Sequence, residues 1–256
     1  MIHLERGTVP SGLADHSTKW LEELDKNRVT NPAMSADEFW KKIRTRKAMK
    51  EFAAYLVEVF QKKCVYCEST PGHVSALNIE HFRPKSMSSF ENLMFNWDNW
   101  LSACANCNTA KGTYWEVCDG LPCLIDPSSE YPEHHVEFIN AQIVPISNRG
   151  QKTIKQLRLR ERIDLLDERG KWLNYIRSLL VILVHVPEAA HSARSLLIWS
   201  MQDNAPYAAM TRSYLRGKVP RLANPGKPHQ TMTLDEPIRL ISELIESNTI
   251  RLQNID

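Results

Sequence analysis

Cys64-Val65-Tyr66-Cys67, then Leu77-Asn78-Ile79-Glu80-His81-Phe82-Arg83-Pro84, then Trp97-Asp98-Asn99-Trp100-Leu101-Ser102, then Cys104-Ala105-Asn106-Cys107-Asn108-Thr109-Ala110-Lys111-Gly112: the reading of this stretch decides the fold. Two Cys-x-x-Cys pairs stand 36 residues apart. Two residues between cysteines let both sulfurs of a tight knuckle face one ion, and four thiolates complete the tetrahedron of a structural zinc site. Cys64, Cys67, Cys104 and Cys107 are therefore the expected zinc ligands. Such an ion has no open position, so it staples the chain and does no chemistry. Cys118 and Cys123, five apart, lack this spacing and read as small apolar residues.

Between the pairs, alternation and β-branching predict a strand over 77–84 that Pro84 stops. Residues 97–102 read as a second short strand, and 107–112 as one or two helical turns. Singly, each polar residue here has a structural explanation. A histidine in an aromatic strand is usually structural, Asn108 suits a helix N-cap, Asn99 suits a turn, and Glu80 suits a solvated strand face. Their joint order inside the cysteine frame points to chemistry instead.

That order resembles the HNH, or ββα-metal, endonucleases. Glu80-His81 looks like the acid-His opening of the motif, Asn99 its middle asparagine, Asn108 its final residue, and Cys107-Asn108-x-x-Lys111 its ending. A narrower resemblance rests on Cys64 to Glu68, on Ile79 to Lys85, on Leu124-Ile125-Asp126-Pro127 and on the tail from Lys152-Thr153-Ile154. These stretches are similar to the HNH component of Septu-type and retron-associated anti-phage systems, which implies an ATPase subunit as partner. The resemblance implies metal-dependent phosphodiester hydrolysis, with DNA the favoured substrate and RNA the alternative. His81, at an ordinary histidine pKa of about 6.5, is the expected general base. Glu80 and Asn108 offer oxygen ligands to Mg²⁺ or Mn²⁺. Adjacent strand residues point to opposite faces, so a twist or bulge is expected to bring Glu80 and His81 round one phosphate. Asn99 is expected to hold the loop or orient His81, and Arg83, Lys85 and Lys111 to contact nucleic acid. A non-catalytic zinc module and a stand-alone restriction-type nuclease are the rival readings.

The rest of the chain frames this module. The 256 residues, 43% hydrophobic and 24% charged, suit a folded protein, and a net charge of +2 excludes a general polycation. Attraction for nucleic acid then has to be local. Nine Lys/Arg against four Asp/Glu in 149–177 read as a solvated helix face, and five Lys/Arg without an acid in 204–234 suit either that or phosphate contacts. No apolar run suits a signal peptide or a membrane span, so a cytoplasmic protein without a membrane partner is expected. The predicted fold class is α+β, mostly helical. A helical segment over 1–61 precedes the zinc-stapled module over 62–127, and a helical region over 128–256 follows. Within these, one helix is expected over 35–61 with a Ser35/Glu38 capping box. A long amphipathic stretch from Gln151, broken at Gly170, comes later, followed by helices near 187–199 and 207–215. A loop over 217–228 and a last helix over 234–246 complete the expectation. His73, His134 and His135 read as surface residues.

Overall fold

A computed structural model describes residues 1–71 and 76–218. His73, the helix expected over 234–246 and all but the first two residues of the loop expected over 217–228 lie outside the described residues. The fold is α+β and mostly helical.

Helix α1 (Leu13–Thr30) buries Leu13, Trp20 and Leu24, spaced so that one face meets the core. The capping box of α2 (Ala36–Ile43) is formed: Ser35 Oγ accepts the Glu38 N–H at 3.2 Å, and the Ser35 N–H donates to the Glu38 carboxylate at 2.9 Å. The single helix expected over 35–61 is two, because the chain breaks after α2 and restarts as α3 (Lys47–Val59). Arg46, extended at the break, donates both guanidinium nitrogens to Glu23 on α1 at 2.8 and 2.6 Å. This long-range pair overrides local helix propensity.

Strand β1 (Leu77–His81) pairs antiparallel with β2 (Trp100–Cys104), from Leu77 opposite Cys104 to His81 opposite Trp100. The expected second strand begins three residues late. Trp97–Asn99 is a 3-10 turn, held by the Asn96 side chain accepting the Asp98 N–H at 2.7 Å. Helix α4 (Ala105–Lys111) follows directly, completing strand, strand and helix. The α3 helix packs behind both strands.

Next comes a tight hairpin of β3 (Val117–Cys118) and β4 (Leu121–Pro122). Asp119 and Gly120, with φ of 53° and 82°, turn the chain in the manner of a hairpin whose two central residues need positive φ. The turn brings Cys118 and Cys123 together, Cα atoms 4.9 Å apart, and they form a disulfide. That corrects their reading as unpaired small residues.

A second hairpin, β5 (Val136–Ile139) with β6 (Gln142–Pro145), lies where only helix was expected. Helix α5 (Asn148–Gln156) is capped by Ser147 and packs on this hairpin. Gly150 permits the approach, since a Cβ there would collide with the His135 carbonyl. The expected break at Gly170 falls elsewhere. The chain leaves its helical path at Leu157 and Arg158, the latter at φ 52°, and α6 (Ile163–His185) runs unbroken through Gly170. Leu157 and Leu159 are buried in the intervening loop, which draws it inward. Helices α7 (Ala190–Ser200) and α8 (Ala208–Lys218) close the fold, α7 against α6 and α8 against β5.

Buried side chains from residues 1–61, 62–127 and beyond form one continuous cluster. Trp20 and Phe39 meet Phe95 across the first boundary, and the Lys63 ammonium donates to the Ala205 carbonyl at 2.9 Å across the second. Among the described residues no single helix is long and apolar enough to cross a membrane.

Candidate functional site

The two knuckles meet. Cys64 and Cys67 precede β1, Cys104 ends β2, and Cys107 sits in the first turn of α4, so pairing of the strands closes the cysteines on each other. All four sulfurs lie within 4.8 Å of one another and all four residues are buried. Cys67 and Cys104 Sγ are 3.8 Å apart. A tetrahedron with metal–sulfur bonds of about 2.3 Å has edges of about 3.8 Å, so the cluster is compatible with a structural zinc. Hydrogen bonds from Cys104 and the other two cysteines pull the Cys67 thiol well below its ordinary range, and Ser69 Oγ, 3.3 Å away, adds to this.

Glu80 faces α4. Its carboxylate stands 2.6 Å from Lys111 Nζ, an ion pair rather than a well-formed hydrogen bond, with both residues almost fully buried. Burial still pushes Glu80 up to about 7, against the opposing effect of Lys111. Lys111 also donates to the His81 carbonyl at 2.7 Å. The sequence reading put this lysine on nucleic acid, but its ammonium is turned inward and is 1% exposed. Asn108 Nδ2 donates to the Ile79 carbonyl at 3.4 Å, which sets the side chain against β1 on the side of α4. Glu80 and Asn108 are thus brought to one side.

His81 points elsewhere. Its ring meets the edge of Trp40 at 4.5 Å between centroids, and Nε2 lies 2.9 Å from the Met94 carbonyl. A carbonyl only accepts, so Nε2 carries the proton and Nδ1 the lone pair. Burial, with Lys85 and Lys111 adding positive charge, lowers His81 to about 3 and keeps it neutral. The expected bulge is absent from the ladder, which stays in register through Glu80 and His81. The two side chains leave β1 on opposite faces.

Asn99 clamps the loop. Its Oδ1 accepts the Arg83 N–H at 2.7 Å, and Nδ2 donates to the carbonyls of Arg83 at 3.0 Å and Leu93 at 3.2 Å. Arg83 is exposed beside an open cleft of about 320 Å³ that Asn99, Asp126 and Glu130 also line. Lys85 pairs with Asp37 at 2.6 Å.

Sequence reasoning missed the charges that gather near the cysteines, Lys63, Glu68 and Arg169 buried and Arg162 partly so. Glu68, at a positive φ of 62°, is wholly enclosed. Burial opposes its charge, but the Met1 amine and Lys63 hold it at about 2, and the Ala209 N–H donates to it at 3.1 Å. Arg162, in the turn before α6, reaches Cys107 Sγ at 3.6 Å, and Arg169 is buried two turns further along the helix. The one available signal was that Glu68 and Lys63 flank a cysteine knuckle.

Residues 64–113 match the family model for HNH endonucleases. The Septu protein PtuB of Bacillus thuringiensis is 30% identical over 162 residues, covering 63% of this chain and 55% of that protein. The Septu protein PtuB of Bacillus mycoides (strain KBAB4) is 28% identical over 204 residues, covering 67% of this chain and 66% of that protein. The chain thus spans only part of the length of these relatives. The matched segment begins at the first knuckle and ends just after α4, so the cysteine cluster and the ββα unit fall inside it. An HNH endonuclease domain therefore lies at residues 64–113, in a chain related to the Septu proteins PtuB.

Proposed function

We propose that this chain is the nuclease of an anti-phage defence system, hydrolysing phosphodiester bonds of DNA in the cytoplasm together with an ATPase subunit. Residues 62–127 are the catalytic module. The flanks over 1–61 and 128–256 supply its framework and the surface for the partner. Zinc on Cys64, Cys67, Cys104 and Cys107 holds the module shut.

The observation that carries this reading is the grouping of Glu80 and Asn108 on one side of the strand that ends in His81. Both offer oxygen donors, which suits a hard cation. Burial, working against Lys111, raises the Glu80 carboxyl to about 7, and a cation arriving there would favour its charged form. Glu80 and Asn108 would hold Mg²⁺ or Mn²⁺, which when bound neutralises charge on the phosphoryl oxygens and stabilises the leaving oxygen. His81 accepts the proton of the attacking water at Nδ1, the nitrogen left free by the Met94 contact. Burial keeps that lone pair unprotonated, and the negative charge of an arriving phosphodiester raises its basicity. The scissile phosphate sits at the end of β1, beside Arg83, where the chain leaves the ladder. Arg83, exposed beside this end, and Lys85 take neighbouring phosphates, while Asn99 positions the loop that carries them.

The pairing of Glu80 with Lys111 and of His81 with a carbonyl favours a second reading, a zinc-stapled binding module without catalysis. One assay separates the two. The purified chain is incubated with Mg²⁺ or Mn²⁺ and with duplex DNA, single-stranded DNA or RNA, alone and with the candidate ATPase. Metal-dependent cleavage of DNA that His81→Ala abolishes supports the proposal. Cleavage by His81→Ala at the wild-type rate overturns the mechanism, and a wild-type chain that binds but never cuts supports the binding module.

A further inference from the structure

Four thiolates around divalent zinc carry a net charge of −2. Here that charge lies in a closed interior, where it needs compensation close by. The two lysines nearest in the fold are committed elsewhere. Lys63 serves Glu68 and the Ala205 carbonyl, and Lys111 serves Glu80.

Among the described residues two arginines stand out, both outside the segment that matches the nuclease family. Arg162, which caps α6, donates Nη1 to Cys107 Sγ at 3.6 Å while Nη2 holds Asp164 at 2.8 Å. Arg169 lies two turns further along α6 and is 1% exposed. Among the described residues its Nε and Nη2 have no hydrogen-bond partner, and its guanidinium stands 5.1 Å from the Phe138 ring. A buried guanidinium without a counter-charge is strongly destabilising. Seven residues after Arg162, it lies on the face of α6 from which Arg162 reaches Cys107, and Glu68, the buried carboxylate beside Cys67, is already shared by the Met1 amine and Lys63. The counter-charge Arg169 lacks is the one the thiolates have in excess. A neutral contact completes the surround, since Ser69 Oγ stands 3.3 Å from Cys67 Sγ and 3.1 Å from the Tyr207 hydroxyl.

We propose that Arg162 and Arg169 form the cationic outer shell of the four-cysteine zinc site, Arg162 bridging Cys107 and the exposed Asp164 at the rim and Arg169 buried behind it with no carboxylate of its own among the described residues. The inference rests on the zinc reading given above. It makes α6 part of the metal site: metal affinity and the docking of the C-terminal helices are one coupled property.

The test uses the full chain, purified without added metal. Zinc per chain is measured first. Zinc transfer to an excess of a chromogenic chelator is then followed for wild type, Arg162→Met, Arg169→Met, Arg162→Lys and an Arg160→Met control. Loss of an outer-shell partner typically weakens metal binding about 10–100-fold. Zinc is expected to leave Arg162→Met and Arg169→Met faster by a factor in that range, with Arg162→Lys between and Arg160→Met at the wild-type rate. Melting with and without chelator supplies a second readout, with both methionine variants losing stability mainly in the zinc-loaded form. Zinc release at the wild-type rate from both variants overturns the proposal. So does a loss of stability that is equal in the loaded and stripped forms. A wild-type chain without zinc overturns the zinc reading itself. If Arg169→Met does not fold, Arg162→Met, at the rim of the site, decides the question.

Discussion

His81 ends β1 and Asn99 clamps the loop that follows it; the proposed mechanism gives them different work, and substitution separates them. His81→Ala removes a base and one bond to a carbonyl. It is expected to keep zinc and to melt somewhat lower, since a buried ring is lost beside Trp40, while cleavage falls about two to four orders of magnitude. Asn99→Ala leaves the Arg83 N–H and two carbonyls without partners in a buried setting. Each such orphan costs about 1–3 kcal/mol, so thermal melting should show a clear loss of stability together with weakened cleavage. Stability unchanged in Asn99→Ala would mean that the loop does not depend on this clamp. The role of Asn99 was legible because a side chain with both donor and acceptor beside a turn has few other uses. The inward turn of Lys111 was not. Its helix is only seven residues long, and nothing in so short a run shows which face is buried. Arg169 was hidden for a related reason: a charge on an amphipathic helix is normally read as solvated.

At the scale of elements, local signals succeeded where the cause is local. The capping box of α2 and the strand over 77–81 follow from neighbouring residues. The break after α2 does not, because Arg46 is drawn to Glu23 across the fold. That pair yields a pH prediction. Arg46 and Lys42 hold Glu23 at about 2 against an ordinary 4.5. A depressed carboxylate contributes stability above its unfolded value and loses it as pH falls toward its folded value. With about a third of the side chain exposed, solvent screening reduces the effect. Glu23→Gln should cost about 1 kcal/mol at pH 7, measured as the urea midpoint. The difference from wild type should shrink steadily below pH 4.5. The β5–β6 hairpin was missed because its turn uses Asn140 at positive φ followed by alanine, a weaker cue than Asn-Gly. Gly150 tests that region: Gly150→Ala must push α5 off the hairpin and should destabilise by on the order of 2–3 kcal/mol, comparable to an overpacked core.

The whole molecule shares one core and one buried charge network, so its parts should not survive separation. A fragment over 62–127 lacks Trp20, Phe39 and α6, and is expected to be unfolded by circular dichroism even with zinc present. A folded, zinc-binding fragment would show that the flanks are dispensable. In the full chain, Cys104→Ser or prolonged chelation should lower the melting point and promote aggregation, because metal binding energy is part of folding energy. The general plan was legible since cysteine spacing is a local, discrete signal. The union of the flanks with the module was not, because it rests on contacts such as Ala209 to Glu68, 141 residues apart. That separation also has a meaning in time. Ribosomes add about 5–20 residues per second, so Glu68 waits on the order of ten seconds before Ala209 is made. During synthesis the strands and knuckles are present while their counter-charges and last helix are still missing. A nascent chain of this protein therefore cannot close its buried charge network until nearly all of its described length has been made.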